Sequence, residues 1–276
     1  MPHRTDPCTS RMTLVVLLLA AALTVVLLML LLPVRDAGAA VPADPVIAAL
    51  AETGTPSTTI AVRAPSEKGA YVAKILRASS VRTRPRPDAR RIGVARDRTD
   101  YLNQGNRLIV LAARYDELGR PWLRVQLPIR PNETSGWMLA RDAVASRTRW
   151  GVRVRLGRRE LTVHYDGKVV RRASVVVGTP LTPTPRGTFA IYEVAPQKNP
   201  GAFTGPWALN LTGFSTVLEN FGSGPGRVAI HGRSGASLND PLGTARSHGC
   251  IRVDNSTVEW LRRRLANGTP VRITTR

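Results

Sequence analysis

Short apolar runs, each closed by glycine, proline, asparagine or aspartate, recur from Tyr71 to the end of this chain, and they limit its fold more than any other feature. Ser80-Val81-Arg82, Leu108-Ile109-Val110-Leu111, Trp122-Leu123-Arg124-Val125 and Gly136-Trp137-Met138 come first. Val152 to Leu156, Leu161 to Tyr165, an Asp166-Gly167 turn and Val169 to Val177 follow. Segments of this kind predict strands, and an Asp-Gly pair between two of them predicts a hairpin. Late in the chain Val258, Leu261 and Leu265 recur at helical spacing, behind a cap at Asp254 or Asn255 and ahead of Asn267-Gly268 and Pro270. Arg262, Arg263 and Arg264 at the end of that helix suit its dipole and imply no function. A last strand, Val271 to Thr274, closes the pattern. The expected fold is mainly β, with one short helix in its final domain.

A different pattern occupies the N-terminus. Residues 12 to 34 carry no charge, and Thr13 to Leu32 gives 20 nearly continuous apolar residues, enough for one transmembrane helix. Arg4 and Arg11 precede the run against Asp6, whereas Arg35 and Asp36 cancel after it, which favours a cytoplasmic N-terminus. The alternative is a cleaved signal peptide, because Ala37-Gly38-Ala39 has the small residues of a cleavage site. The apolar run exceeds the usual signal length of about 7 to 15 residues, so an anchor is favoured. No cysteine follows the run closely enough for a lipoprotein. The chain therefore divides into a stub and anchor at 1–34, a linker at 35–69 and two β-rich domains at 70–147 and 148–276. The linker is rich in Ala, Pro, Thr and Ser and is expected to lack fixed structure.

A net charge of +21 would suit any polyanion. It is spread over both domains: residues 70 to 150 hold 17 basic and 7 acidic groups, and residues 151 to 276 hold 18 and 7. Nucleic acid is the default partner for such a balance, but an exported domain would not meet it. The expected anionic partners are lipid headgroups and the carboxylates and phosphates of a cell wall.

Chemistry gathers in Ile230-His231-Gly232 and Ser247-His248-Gly249-Cys250-Ile251-Arg252. The other cysteine, Cys8, precedes the apolar run and would lie across a membrane from Cys250. An exported cysteine without a partner is a liability unless its thiolate is used, so Cys250 reads as a nucleophile. A free thiol has a pKa of about 8.5 and needs a base or positive surroundings. His248 is two residues away, on the same face if the segment is extended. His231 ends the apolar run Val228-Ala229-Ile230, and as a residue from another segment it is the preferred base. Its second ring nitrogen would be oriented by a main-chain carbonyl near Gly232 or by the Ser247 hydroxyl. Gly232 and Gly249 allow close main-chain approach and leave the Cys250 amide available to an oxyanion. Zinc ligation is disfavoured, because no Cys-x-x-Cys or His-x-x-x-His pair is present. Neither a metal nor a cofactor is expected. His164, on a strand ahead of the hairpin turn, reads as structural.

These two segments, 19 positions apart from His231 to Cys250, resemble the signature of the L,D-transpeptidases with a YkuD-type catalytic domain. Val177-Gly178-Thr179-Pro180 and Thr182-Pro183-Thr184-Pro185-Arg186-Gly187-Thr188-Phe189 resemble that family's strand, turn and strand leading to the site. The resemblance covers roughly residues 151 to 276. It implies a cysteine enzyme acting on peptidoglycan stem peptides, with Cys250 as nucleophile and His231 as base. Gly232, Ser247, His248 and Gly249 would support the site and its oxyanion, and Arg252 would bind substrate or brace the loop. Some members place a tyrosine before the His-Gly segment at the oxyanion, and this chain has none after Tyr192.

The preceding strands resemble a bacterial SH3-like barrel, in which Trp122 and Trp137 are either ligand platforms or core. The expected reaction is thioester formation followed by a 3→3 cross-link to an acceptor amine. Alternatives are an L,D-carboxypeptidase that uses water, or a non-catalytic wall-binding protein. The expected place is the bacterial cell membrane with the catalytic domain outside, or else the cell wall after secretion.

Overall fold

The structure is a computed structural model that describes residues 44–50, 52–221 and 224–276. The apolar run Thr13–Leu32 lies outside the described residues. Among the described residues no helix is long and apolar enough to cross a membrane. What is described is mainly β, with two α-helices, α1 (Pro45–Ala49) and α2 (Asn255–Arg262).

Strands β1 (Thr59–Ile60), β2 (Ala70–Ile75), β3 (Ser79–Arg82), β4 (Arg91–Ala95), β5 (Arg107–Tyr115), β6 (Pro121–Gln126), β7 (Ser135–Leu139) and β8 (Ala143–Thr148) form the first sheet. Its order is β4-β3-β7-β6-β5-β2-β8, with β1 paired to β5. Alternating residues turn inward, so Ala73, Val81, Leu108, Val110, Leu123 and Met138 make one core. Trp122 is 1% exposed and donates its indole N–H to the buried Asp116 carboxylate at 2.9 Å, which places it in the interior. Trp137 is half-buried and borders a groove with Arg84, Pro85, Arg86 and Arg114.

Arg149 alone separates β8 from β9 (Trp150–Arg155), the first strand of the second sheet. There follow β10 (Glu160–Tyr165), β11 (Lys168–Ser174), β12 (Val177–Gly178), β13 (Gly187–Pro196), β14 (Trp207–Phe214), β15 (Arg227–His231), β16 (Ala245–Ser247), β17 (Ile251–Arg252) and β18 (Pro270–Thr274). The order β11-β10-β9-β18-β13-β14-β15-β17 is antiparallel except for β9 with β18 and β15 with β17, and β12 pairs separately with β16. Asp254 caps α2 by accepting from the Thr257 amide at 2.8 Å. Val258 and Leu261 then pack the helix onto the sheet's core with Leu209, Ile230 and Ile251.

One expectation needs correction. Part of the stretch 35–69 expected to lack fixed structure is built into the fold. Asp44 caps α1 by accepting from the Val46 amide at 3.0 Å, Pro45 suits the first turn, and Val46 is buried. The Tyr115 hydroxyl donates to the Ala49 carbonyl at 2.6 Å, and the Gly54 amide donates to the Gly119 carbonyl at 3.0 Å. A composition rich in Ala, Pro, Thr and Ser predicts no core of its own, but this segment is held by hydrogen bonds and by Leu50, Ile60 and Val62 to a sheet that already has one.

The sequence divides the chain near Arg149, and in the structure residues 44–276 form one compact unit in which the two sheets are joined. The amides of Tyr101 and Leu102 donate to Glu193 at 3.1 and 2.9 Å, and the Asp100 amide donates to the Tyr192 hydroxyl at 3.0 Å. Gln104 exchanges two hydrogen bonds with the Val194 main chain, and Gln126 donates to the Thr188 carbonyl at 2.7 Å. Apart from a small apolar cluster of Ala70, Ile109 and Ala190, this interface consists of polar side chains bonded to main-chain groups, and hydrophobic patterning gives no sign of those bonds.

Candidate active site

Strand register builds the site. His231 on β15 lies opposite Ala208 on β14 and beside Arg252 on β17, while Ala229 lies opposite Asn210. Alternation sends Val228, Ile230 and Ile251 into the core. It leaves Ala195, Ala208 and Ala229 on the opposite face, where Cys250 packs against them. Small side chains there leave a floor between the reactive groups. A cavity of about 410 Å³ opens over it, lined by Cys250, His231, His248, Arg252, Asn210 and Gln197 among others.

Cys250 follows a turn that its neighbours hold. Gly249 adopts φ +116°, a region that L side chains rarely enter, so the segment is not extended and His248 and Cys250 do not share a face by simple alternation. His248 is exposed at the cavity edge, its ring 5.4 Å from that of Phe221. Ser247 is fully buried; its hydroxyl donates to the Cys250 carbonyl at 2.6 Å and accepts from the Gly249 amide at 3.1 Å. The Thr184 hydroxyl donates to the Gly249 carbonyl at 2.9 Å and accepts from the Gly178 amide at 2.9 Å. The Thr179 amide donates to the Ser247 carbonyl at 3.0 Å. Among the described residues the Cys250 amide has no acceptor, so it is available to an incoming oxyanion.

His231 is 3% exposed, and its Nδ1 lies 2.7 Å from the Gly232 carbonyl. A carbonyl only accepts, so Nδ1 carries the proton and Nε2 keeps its lone pair. Of the two orienting groups left open by the sequence, the structure shows the carbonyl; the Ser247 hydroxyl serves the turn instead. Burial lowers the His231 pKa to about 4, and the Arg252 charge adds to this against the pull of the Gly232 and Thr204 main chain. Burial pushes the Cys250 thiol up, opposed by the Ala229 main chain and Arg252. Burial thus favours the neutral form of both groups, the imidazole and the thiol.

Arg252 is 2% exposed and donates to the Asp240 carboxylate at 2.5 Å, with its guanidinium 4.5 Å from the Phe203 ring centroid. That contact braces the loop between β15 and β16. Its Nε stays buried without an acceptor among the described residues. Tyr192 is buried with its hydroxyl on the Asp100 amide, on the interface with the first sheet. His164 meets the Thr162 hydroxyl at 3.0 Å, away from the cavity. Among the described residues no group of three His, Cys, Asp or Glu side chains comes together as metal ligands.

Other contributors carry no motif. Asn255 accepts from the Arg233 amide at 2.8 Å and lies so close beneath Gly232 that a Cβ there would stand 2.4 Å from its oxygen. Sequence reading offers Asn255 only as a helix cap, a role that Asp254 takes. Asn210 presents an amide to the cavity with no hydrogen-bond partner among the described residues. Its place on β14 opposite Ala229 follows from register, which the sequence does not fix.

Residues 149–273 match the family model of the YkuD-type L,D-transpeptidase catalytic domain. Over 122 residues the chain is 33% identical to the YkuD protein of Bacillus subtilis, covering 44% of this chain and 64% of that protein. The corresponding protein of Bacillus licheniformis is 36% identical over 123 residues, 45% of this chain and 64% of that one. The chain thus spans a little under two thirds of these relatives' length. Among solved structures, an L,D-transpeptidase from Mycobacterium smegmatis is 17% identical with a TM-score of 0.37, covering 56% of this chain and 90% of that one. One from Xylanimonas cellulosilytica is 25% identical with a TM-score of 0.34, covering 47% and 62%.

Proposed function

We propose that this chain, with a YkuD-type catalytic domain at residues 149–273 as the premise, is a peptidoglycan L,D-transpeptidase that works through a Cys250 thioester. The observation that carries this reading is that Cys250 and a buried His231 line one cavity, the imidazole turned by the Gly232 carbonyl so that Nε2 is the basic nitrogen.

In the first half-reaction the sulfur attacks the carbonyl carbon of the diamino-acid residue at stem position three. The thiol proton passes to His231 and from there to the leaving amine of the terminal D-alanine as that C–N bond breaks. In the second, the side-chain amine of another stem attacks the thioester carbon, and His231 takes its proton and returns it to the departing sulfur. The product is a 3→3 cross-link. The Cys250 amide receives the oxyanion, and Asn210, across the alanine floor, is the second donor in place of the missing tyrosine. At the cavity wall Arg252 supplies positive charge, and His248 a hydrogen bond, for a stem carboxylate.

The active domain is held outside the cell membrane by the apolar run Thr13–Leu32 or reaches the wall after its cleavage. The first sheet serves as an SH3-like wall-binding module. Its Trp137 groove, with Arg84 and Arg86, supports that role.

Mass spectrometry of the purified protein with a tetrapeptide stem tests the reaction. A covalent adduct lacking D-alanine, absent in Cys250→Ser, is expected, followed by transfer to an added amine. Adduct lost only to water makes the chain a carboxypeptidase, and no adduct makes it a wall-binding protein.

A further inference from the structure

One wall of the cavity is held from outside its own domain. Ser215, Leu218, Phe221 and Gly226, all in the connection from β14 to β15, line the cavity with Cys250 and His231. The opposite side of that connection turns its carbonyls toward the loop between β6 and β7, which belongs to the first sheet. Arg130 from this loop donates through Nη1 to the Ser215 carbonyl at 2.6 Å. Through Nη2 it donates to the carbonyls of Pro225 at 2.9 Å, Leu218 at 3.0 Å and Glu219 at 3.5 Å. Its guanidinium also stacks on Phe214, 4.7 Å from the ring centroid. Asn132 adds a paired contact, its amide donating to the Phe214 carbonyl and accepting from the Phe214 amide, each at 2.8 Å.

The connection has a few bonds of its own. The Ser215 amide donates to the Gly226 carbonyl at 2.8 Å, and the Ser215 hydroxyl accepts from the Leu218 amide at 3.0 Å. These close its neck, but they leave the carbonyls that fan around Arg130 without another donor among the described residues. A planar guanidinium has five N–H groups in a fixed fork, so carbonyls spaced along the connection are held at one mutual geometry. Among the described residues Arg130 pairs with no carboxylate, so its charge is directed at main-chain acceptors of the wall. Gly226 fits the same picture, since a Cβ there would stand 3.1 Å from Arg130 Nη2.

We propose that Arg130, with Asn132, is a positioning residue of the active site: the first sheet sets the width of the cleft in the catalytic domain by holding the wall that carries Leu218 and Phe221. This makes the N-terminal module part of the machinery that receives the donor stem, in addition to any wall-binding role. It rests on the proposed acyl transfer only for its kinetic readout. Reacting groups must meet within a few tenths of an ångström, and a displacement of about 1 Å can cost on the order of 100-fold in rate. Because Arg130 touches the wall and not the Cys250–His231 pair, its loss is felt as weaker donor capture rather than as a weaker nucleophile.

The test uses the full chain with Arg130→Ala and Arg130→Lys. Gln126→Ala and Glu133→Ala serve as controls, since those side chains join the same two sheets at Thr188, away from the wall. All four variants are expected to melt below wild type. Arg130→Ala alone is expected to raise the donor concentration for half-maximal acylation by about tenfold, as a small loss of positioning would, with Cys250 alkylation by iodoacetamide unchanged. Arg130→Lys restores part of the effect, because an ammonium cannot span the same carbonyls. Hydrogen exchange at Val217 and Leu218, whose amides bond the Ser215 hydroxyl, should quicken in Arg130→Ala and not in the controls. Equal half-saturation in wild type and Arg130→Ala, or an equal rise in the controls, overturns the proposal. If wild type forms no acyl adduct, the reaction is wrong, and unchanged exchange in Arg130→Ala then overturns the positioning role separately. If Arg130→Ala does not fold, Asn132→Ala and Arg130→Lys are judged by the same criteria.

Discussion

His231 ties stability to pH as well as to chemistry. In the unfolded chain its ring titrates near 6.5, and in the folded protein burial holds it to about 4. Above pH 6.5 both states hold a neutral ring and nothing changes. As pH falls below 6.5 the unfolded chain binds a proton that the folded protein refuses, so stability is lost progressively until about pH 4, by on the order of 3 kcal/mol in all. Thermal melts of wild type and His231→Gln from pH 7 to pH 4 should diverge, with wild type falling more steeply; parallel curves would place the imidazole in water. The same value sets the acid limb of acylation, which should follow the neutral ring down to pH near 4. Asn210 gives a second prediction at this scale. Alkylation forms no oxyanion, whereas acylation does, so Asn210→Ala should slow acylation by roughly 100-fold and leave iodoacetamide reactivity as it was. A matching loss in both rates would mean that the substitution disturbs Cys250 itself.

At the scale of elements, the turn before Cys250 depends on a strand and turn far upstream. Thr184 joins the Gly178 amide to the Gly249 carbonyl and is 3% exposed. Thr184→Val keeps shape but leaves a buried donor and acceptor unpaired, at a cost of about 1 to 3 kcal/mol for each group. A drop in melting temperature with slower acylation is expected, and an unchanged protein would show that the turn stands on Ser247 alone. The sequence singles out Ser247, Gly249 and Cys250 because a hydroxyl, a glycine and a thiol stand in one short motif, and the structure gathers them in one turn at the cavity. The strands and α2 could be read because period-two and helical spacing survive in a single chain. Thr184, Asn210 and Asn255 could not, since ordinary polar residues acquire their roles from register and from which neighbour runs out of partners. The helix α1 was hidden for a related reason: five residues show no helical period, and the helix is held by its Asp44 cap, by buried Val46 and by the Tyr115 hydroxyl.

For the molecule as a whole, the sequence boundary near Arg149 suggests two beads on a string. The contacts across the two sheets join them. Glu193 is fully buried and takes its donors from the Tyr101 and Leu102 amides. Arg227 stacks on Tyr192 at 4.5 Å and donates to the Pro128 carbonyl at 3.4 Å. A fragment beginning at residue 148 exposes these groups together with Ala190, which packs against Ile109 and Ala70 of the first sheet. Such a fragment keeps the core of the second sheet, so it should still fold. Its unfolding midpoint should lie several degrees below that of the intact protein, because a loss of about 1 kcal/mol already shifts the melting temperature of a domain this size by roughly 3 to 5 °C. Differential scanning calorimetry of both proteins decides the matter. One cooperative transition in the intact chain and a lower one in the fragment are the outcome of a shared interface; two independent transitions, one of them coinciding with the fragment's, would restore the beads.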